Sequence, residues 1–191
     1  DRDAVGKMIS RYGGSIDQVD RFDPEFFSIS PREALSIDPQ HRLLLEVTWE
    51  ALESAAISQQ QLAATKTGVY VGISVNDYWQ LQAKYCAPHV LNAYFGIGNA
   101  LAAASGRLSY LLGLQGPSVS IDTACSSSLV AVHMACQGLR TGDCRAAIVG
   151  GVNLLLLPEV NVALSRAHML SPDGRCKTFD ALADGYVRGE G

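Results

Sequence analysis

The sequence predicts an α/β layered domain. Short β-branched runs bounded by turn residues alternate with longer helix-periodic segments, as in a sheet covered by helices. Hydrophobic residues make up 48% of the 191-residue chain and charged residues 18%, which suits one domain with a substantial core. There is no internal repeat, linker or low-complexity segment.

The first clear helix opens at Asp38-Pro39, where Asp38 suits the N-cap and Pro39 the first helical position. Leu44, Val47, Ala51 and Leu45, Trp49, Leu52 follow at helical spacing, an apolar face wide enough to predict a well-buried helix. Gly68-Val69-Tyr70-Val71-Gly72-Ile73 reads as a buried strand. Ser74 to Phe95 is weakly periodic but carries Tyr78, Trp79, Tyr85, Tyr94 and Phe95, whose ordinary place is a core. Asn99 is expected to cap a helix that stops at Gly113. Gly106 inside that helix costs ~1 kcal/mol against Ala, which points to close backbone packing. Pro117 to Ile121 reads as a strand, Ser126 to Arg140 as a long helix ending near Gly142, and Ala146 to Val152 as another buried strand. Ser171-Pro172-Asp173-Gly174 is a turn signal, followed by a tail rich in Gly and Asp.

Composition excludes several function classes. A net charge of -4 without a basic run argues against nucleic acid as a partner. No apolar run approaches the roughly 18 residues of a membrane span. The start, Asp1-Arg2-Asp3, has neither an initiator Met nor a signal-peptide pattern. Five cysteines (Cys86, Cys125, Cys136, Cys144, Cys176) form an odd set without C-x-x-C spacing. That pattern predicts neither a disulfide framework nor a zinc site but a reducing, cytoplasmic compartment. Four of the thiols are expected to pack in the interior and one to be a candidate nucleophile.

That candidate is Cys125, between the Pro117 to Ile121 strand and the long helix that follows. Free amide hydrogens and the helix dipole favour negative charge at such a junction, and the thiolate is the reactive form of cysteine. The dipole contributes ~0.3–1 kcal/mol, up to ~2 when partly buried, which is about one pKa unit. A base or hydrogen-bond donor is therefore expected nearby. The competing reading is a buried structural thiol.

His133 is the nearest histidine in sequence, but eight helical residues rise ~12 Å, far beyond the ~3 Å of a hydrogen bond. It is expected to be a packed or capped helix residue, and His41 a surface or capping residue. His89 and His168 have no pattern that pairs them with Cys125. Ser126, Ser127 and Ser128 are expected to satisfy free amides in the helix's first turn. A hydrolase elbow needs glycine where Thr123 and Ser127 stand. Gly96-Ile97-Gly98 lacks the third glycine and the preceding strand of a dinucleotide fingerprint. Asp180 to Gly185 lacks the alternate acidic positions of a calcium loop, so no metal site is predicted.

Asp122-Thr123-Ala124-Cys125-Ser126-Ser127-Ser128-Leu129 resembles the active-site signature of β-ketoacyl synthases, most of all the ketosynthase domains of modular polyketide synthases. Phe22-Asp23-Pro24-Glu25-Phe26-Phe27, Asp38-Pro39-Gln40-His41-Arg42 and Gly106-Arg107-Leu108-Ser109-Tyr110 are similar to further blocks of that family in the same order. So are Gly174-Arg175-Cys176-Lys177-Thr178-Phe179-Asp180 and Asp184-Gly185-Tyr186-Val187-Arg188-Gly189-Glu190-Gly191. The resemblance implies a thiolase-like fold with αβαβα layers. It implies that Cys125 accepts an acyl group from a phosphopantetheine thioester carried by an acyl carrier protein. A malonyl-type unit then decarboxylates and attacks the Cys125 thioester to give a β-ketoacyl product, in polyketide or fatty acid synthesis.

The implied partners are the carrier protein, neighbouring synthase domains and a second copy in a homodimer. No cofactor is implied beyond the substrate's own phosphopantetheine arm. The family's two catalytic histidines lie in a C-terminal half, and none of His41, His89, His133 or His168 matches them. Residues 1–191 are thus expected to be one partial domain that lacks an N-terminal strand and that C-terminal half, and to be inactive in isolation. Cys125 is not replaced by Gln, so the variant that only decarboxylates is not indicated. The aromatics between Ser74 and Phe95 have the lesser alternative of lining an acyl channel. Two other readings stay open: a non-catalytic thiolase-fold subunit or scaffold that binds a carrier or dimer partner, and a cysteine hydrolase.

Overall fold

The computed structural model describes residues 6–88 and 91–191. Its chain falls into two compact units. Gln18–Asn153 form the larger, and residues 6–17 with Leu154–Gly191 the smaller.

The larger unit is built on three parallel strands: β1 (Thr67–Gly72), β2 (Ser118–Ile121) and β3 (Ala146–Gly151), in the order β2-β1-β3. Every residue of β1 is buried, as its continuous apolar run predicts for a central parallel strand. Successive side chains of a strand point to opposite faces, and two clusters follow from that alternation. Val69, Val71 and Ile73 pack with Leu44, Leu45, Leu108 and Leu112. Tyr70 packs with Ile121, Ala131, Ala135 and Cys144. The first cluster draws on α2 (Pro39–Ser54) and α6 (Ala102–Leu112), the second on α7 (Ser127–Thr141). The unit is therefore a helix–sheet–helix sandwich.

Shorter helices complete it: α1 (Pro31–Ala34), α3 (Gln59–Ala63), α4 (Asp77–Tyr85) and α5 (Ala93–Asn99). α6 and α7 both stop at glycines in the left-handed region, Gly113 at φ 69° and Gly142 at φ 79°, where a side chain would add strain.

Several elements depart from the sequence reading. α2 opens as expected, with the Asp38 carboxylate accepting from the Gln40 amide at 2.8 Å. Its burial is one-sided, however: Leu44, Leu45 and Leu52 are inside, while Val47 is 59% exposed and Ala51 also faces solvent. β2 and β3 are edge strands, so only Ile121 of their ten residues is fully buried. Asn99 does not cap α6. It ends α5, and its amide nitrogen donates to the Ser36 carbonyl, the Phe95 carbonyl and Gln82 Oε1. A side chain on Gly106 would meet no neighbouring element within 4 Å, so this glycine marks no close packing. Of the aromatics between Ser74 and Phe95, Phe95 is buried, whereas Trp79, Tyr85 and Tyr94 are exposed. They sit on short helices with few partners, although Trp79 still contacts Phe95 at 4.3 Å between ring centroids. α7 keeps one apolar row uncovered: Leu129 is 75% exposed, and Val132 and Leu139 are exposed as well.

The smaller unit holds α8 (Glu159–Arg166) and is tied by Glu190. That carboxylate accepts from the Ile16 amide at 3.1 Å and the Leu155 amide at 2.9 Å, joining three stretches distant in sequence. The predicted turn after Ser171 is present: Asp173 accepts from the Ser171 hydroxyl and the Arg175 amide, and Gly174 has φ 72°.

Candidate functional site

Cys125 lies where the sequence reading puts it, between the end of β2 and the start of α7, and its thiol is free and exposed. The competing reading, a buried structural thiol, does not describe it. The residue before it, Ala124, has φ 55°. A non-glycine residue in the left-handed region costs of order 1–3 kcal/mol and persists only where its surroundings impose it. Nothing in the sequence signals this, because alanine is not a residue that favours positive φ.

The surroundings that impose it are polar. Asp122 Oδ1 accepts from the Ala124 amide at 2.9 Å. Ser127 Oγ accepts from the Thr123 amide at 2.9 Å and donates to the Ala124 carbonyl at 2.7 Å. Ser126 Oγ donates to the Thr123 carbonyl at 2.8 Å. Ser74 lies just beyond the end of β1. Its hydroxyl is 3.3 Å from Ser127 Oγ. The Ala124 amide, and secondarily the nearby Ser74 hydroxyl, hold the Asp122 carboxyl below the usual carboxylate range. The capping expected of the serines is not their role. Ser126 makes no side-chain cap bond, and the hydroxyls of Ser126 and Ser127 brace the turn that carries the cysteine.

Packing sets the height of this turn above the sheet. A side chain on Gly72 would meet the Ser128 amide nitrogen at 2.8 Å and the Ser127 carbonyl carbon at 2.9 Å. The start of α7 thus rests on the bare backbone of β1. Among the described residues the Cys125 amide donates to no acceptor, so it is available to an oxygen placed over the helix start.

The histidines fall elsewhere. His133 is an exposed residue of α7, not a packed one, because it points away from the sheet-facing row of Ala131 and Ala135. His168 is exposed, with φ 53°. His89 lies outside the described residues. His41 overturns the surface expectation: it is 1% exposed, and neither ring nitrogen has a partner among the described residues. The first turn of α2 is inserted beside the end of α5, with the Asp38 amide donating to the Gly98 carbonyl. Burial, and secondarily the Arg107 charge, push the imidazole down to about 3. Burial likewise raises the Asp38 carboxyl.

The other thiols correct the expectation that four would pack. Cys144 is buried and Cys136 half-buried, but Cys86 and Cys176 are exposed. Cys86 follows the last turn of α4, and Cys176 sits in a loop where its sulfur accepts from the Val187 amide at 3.2 Å.

Comparison with known proteins places this geometry. The family described as Beta-ketoacyl synthase, N-terminal domain, matches residues 1–191. A phenolphthiocerol/phthiocerol polyketide synthase polypeptide of Mycobacterium tuberculosis is 56% identical over 193 residues, which cover 100% of this chain and 9% of that protein. A second polypeptide of the phenolphthiocerol/phthiocerol polyketide synthase from the same species is 53% identical and matches 97% of this chain and 12% of its own length. Among solved structures, the oxazolomycin ketosynthase domain OzmH KS7 of a Streptomyces albus strain superposes with a TM-score of 0.87 at 40% identity, covering 98% of this chain and 33% of that one. The ketosynthase from module 6 of the bacillaene synthase of Bacillus subtilis superposes with a TM-score of 0.79 at 44% identity, covering 92% and 29%. The chain belongs to the β-ketoacyl synthase N-terminal domain family, and its layered α/β fold is the thiolase-like fold of ketosynthases. It spans about a tenth of the length of the curated relatives and about a third of the solved ketosynthases.

Proposed function

We propose that this chain supplies the acyl-accepting nucleophile of a condensing enzyme in polyketide assembly. The observation that carries the reading is the exposed, unpaired Cys125 thiol on a strained turn at the start of α7. An acyl group arrives as a phosphopantetheine thioester on an acyl carrier protein. Cys125 sulfur attacks the carbonyl carbon, and the negative oxygen that forms is met by the free Cys125 amide. Collapse expels the pantetheine thiolate and leaves an acyl–S–Cys125 thioester. A malonyl-type thioester then loses carbon dioxide, and its α-carbon attacks the acyl carbon. A carbon–carbon bond forms, the Cys125 thiolate leaves, and a β-ketoacyl thioester remains on the carrier.

The groups that assist decarboxylation are not His41, His133 or His168, none of which matches a catalytic histidine position of the family. We assign them to histidines of the larger ketosynthase domain of which this chain corresponds to about a third. Neighbouring synthase domains, a second copy in a homodimer and a cytoplasmic location complete the proposal. Among the described residues no helix is long and apolar enough to cross a membrane.

The test is acylation in solution. A ketosynthase domain that contains this chain is incubated with a short acyl N-acetylcysteamine thioester and digested, and the added mass is located by peptide mass spectrometry. The expected adduct is on Cys125 and absent from Cys125→Ala. Label confined to Cys86 or Cys176 would refute the assignment and favour a non-catalytic thiolase-fold subunit. Rapid release of free acid would instead favour a hydrolase.

A further inference from the structure

We propose that Ser127 and Asp122 are positioning residues, which hold Ala124 in the left-handed region and thereby fix the direction of the Cys125 thiol. The inference deepens the reading of Cys125 as acyl acceptor and rests on it, but its readout does not depend on acyl transfer.

Ala124 at φ 55° reverts to an ordinary conformation unless bonds on both sides of it oppose the change. Both flanks are bonded. On the amino side its amide is held by Asp122 Oδ1 at 2.9 Å. On the carboxyl side its carbonyl accepts from Ser127 Oγ at 2.7 Å, and the same oxygen accepts from the Thr123 amide at 2.9 Å. One hydroxyl thus spans the turn as donor and acceptor together. Ser127 is 5% exposed, so water cannot replace it when it is removed, and the unmet Thr123 amide and Ala124 carbonyl would carry a desolvation cost. Ser74 adds a further contact to the brace, its hydroxyl 3.3 Å from the Ser127 oxygen. All of these contacts converge on the residue that precedes the nucleophile.

Releasing Ala124 lets the peptide before Cys125 rotate. The thiol then spreads over more orientations, and fewer molecules present it to an incoming electrophile. A helix-capping role would act differently, since it would change stability and leave the reactivity of Cys125 relative to the other exposed thiols unaltered.

The experiment alkylates the folded chain with iodoacetamide and measures rates at Cys125, Cys86 and Cys176 in the same molecules by peptide mass spectrometry, with circular dichroism as the control for folding. In Ser127→Ala the ratio of the Cys125 rate to the Cys86 and Cys176 rates is expected to fall about threefold to tenfold, the factor that loss of one net hydrogen bond allows. Asp122 is exposed, and circular dichroism checks that its variants keep the fold. Asp122→Ala should lower the same ratio, and Asp122→Asn, which keeps the acceptor for the Ala124 amide, should restore it. An unchanged ratio in both Ser127→Ala and Asp122→Ala overturns the proposal. So does a parallel change at all three cysteines, or an Asp122→Asn variant no better than Asp122→Ala. If acylation by the thioester fails in the wild type while these ratios behave as expected, the functional reading falls and the positioning role stands.

Discussion

Placing a methyl group on Gly72 tests how the sheet carries the nucleophile. In Gly72→Ala the new carbon stands 2.8 Å from the Ser128 nitrogen, 2.9 Å from the Ser127 carbonyl carbon and 3.1 Å from the Ser128 Cα, whereas ordinary contact begins at 3.4 Å. All three atoms are backbone, so no side chain can rotate away. β1 or the first turn of α7 must yield by about half an ångström, and overpacking of this kind costs ~1–3 kcal/mol.

Gly106→Ala is the matched control. Its new methyl meets nothing within 4 Å, and replacing a mid-helix glycine by alanine gains ~0.5–1 kcal/mol. Urea unfolding of the three proteins, followed by far-ultraviolet circular dichroism, reads the outcome. The Gly72→Ala midpoint should fall below wild type and the Gly106→Ala midpoint should rise, with similar slopes. A Gly72→Ala midpoint equal to or above wild type would refute the reasoning, because the sheet would then have slack beneath the cysteine turn.

Three further outcomes follow from other parts of the fold. The unfolded His41 imidazole takes up a proton near 6.5, but the folded one stays neutral until about 3. Between those values the unfolded state binds more protons, so stability present above 6.5 is lost as pH falls. From about pH 7 to about pH 5 the loss should be ~2 kcal/mol. Urea titrations at the two pH values should show His41→Gln losing clearly less than wild type, and equal losses would contradict the burial argument. Asp38→Ala should cost ~1–2 kcal/mol through loss of the α2 cap, whereas Asp38→Asn, which keeps an acceptor for the Gln40 amide, should cost little; chemical denaturation checks both. Native-state labelling with a maleimide should modify Cys125, Cys86 and Cys176 quickly and Cys144 only after denaturant is added, because Cys144 is 1% exposed.

The central features of the fold are legible because they rest on local pattern. The β-branched run through Tyr70, the Asp38-Pro39 start and the glycines after α6 and α7 each state a conformation within a few residues. What escapes depends on residues distant in sequence. Whether Val47 faces the core, or His41 the interior, is decided by where α5 and the sheet lie, and the helical pattern is the same in either case. The candidate site divides along the same line. The position of Cys125 between strand and helix can be read directly. The strained Ala124, the Ser127 brace and the seat that Gly72 provides cannot, since serine and alanine near a helix start ordinarily serve as caps and fillers.

The central place of β1 also bears on how the chain is made. Its neighbours β2 and β3 come from residues 118–121 and 146–151, so the middle strand leaves the ribosome long before either edge exists. At about 5–20 residues per second, Val69, Tyr70 and Val71 wait several seconds without the strands that will flank them. During synthesis the one strand of the sheet that ends fully buried is therefore its most vulnerable, and escape from misassociation depends on what shelters that ribbon until Gly151 has emerged.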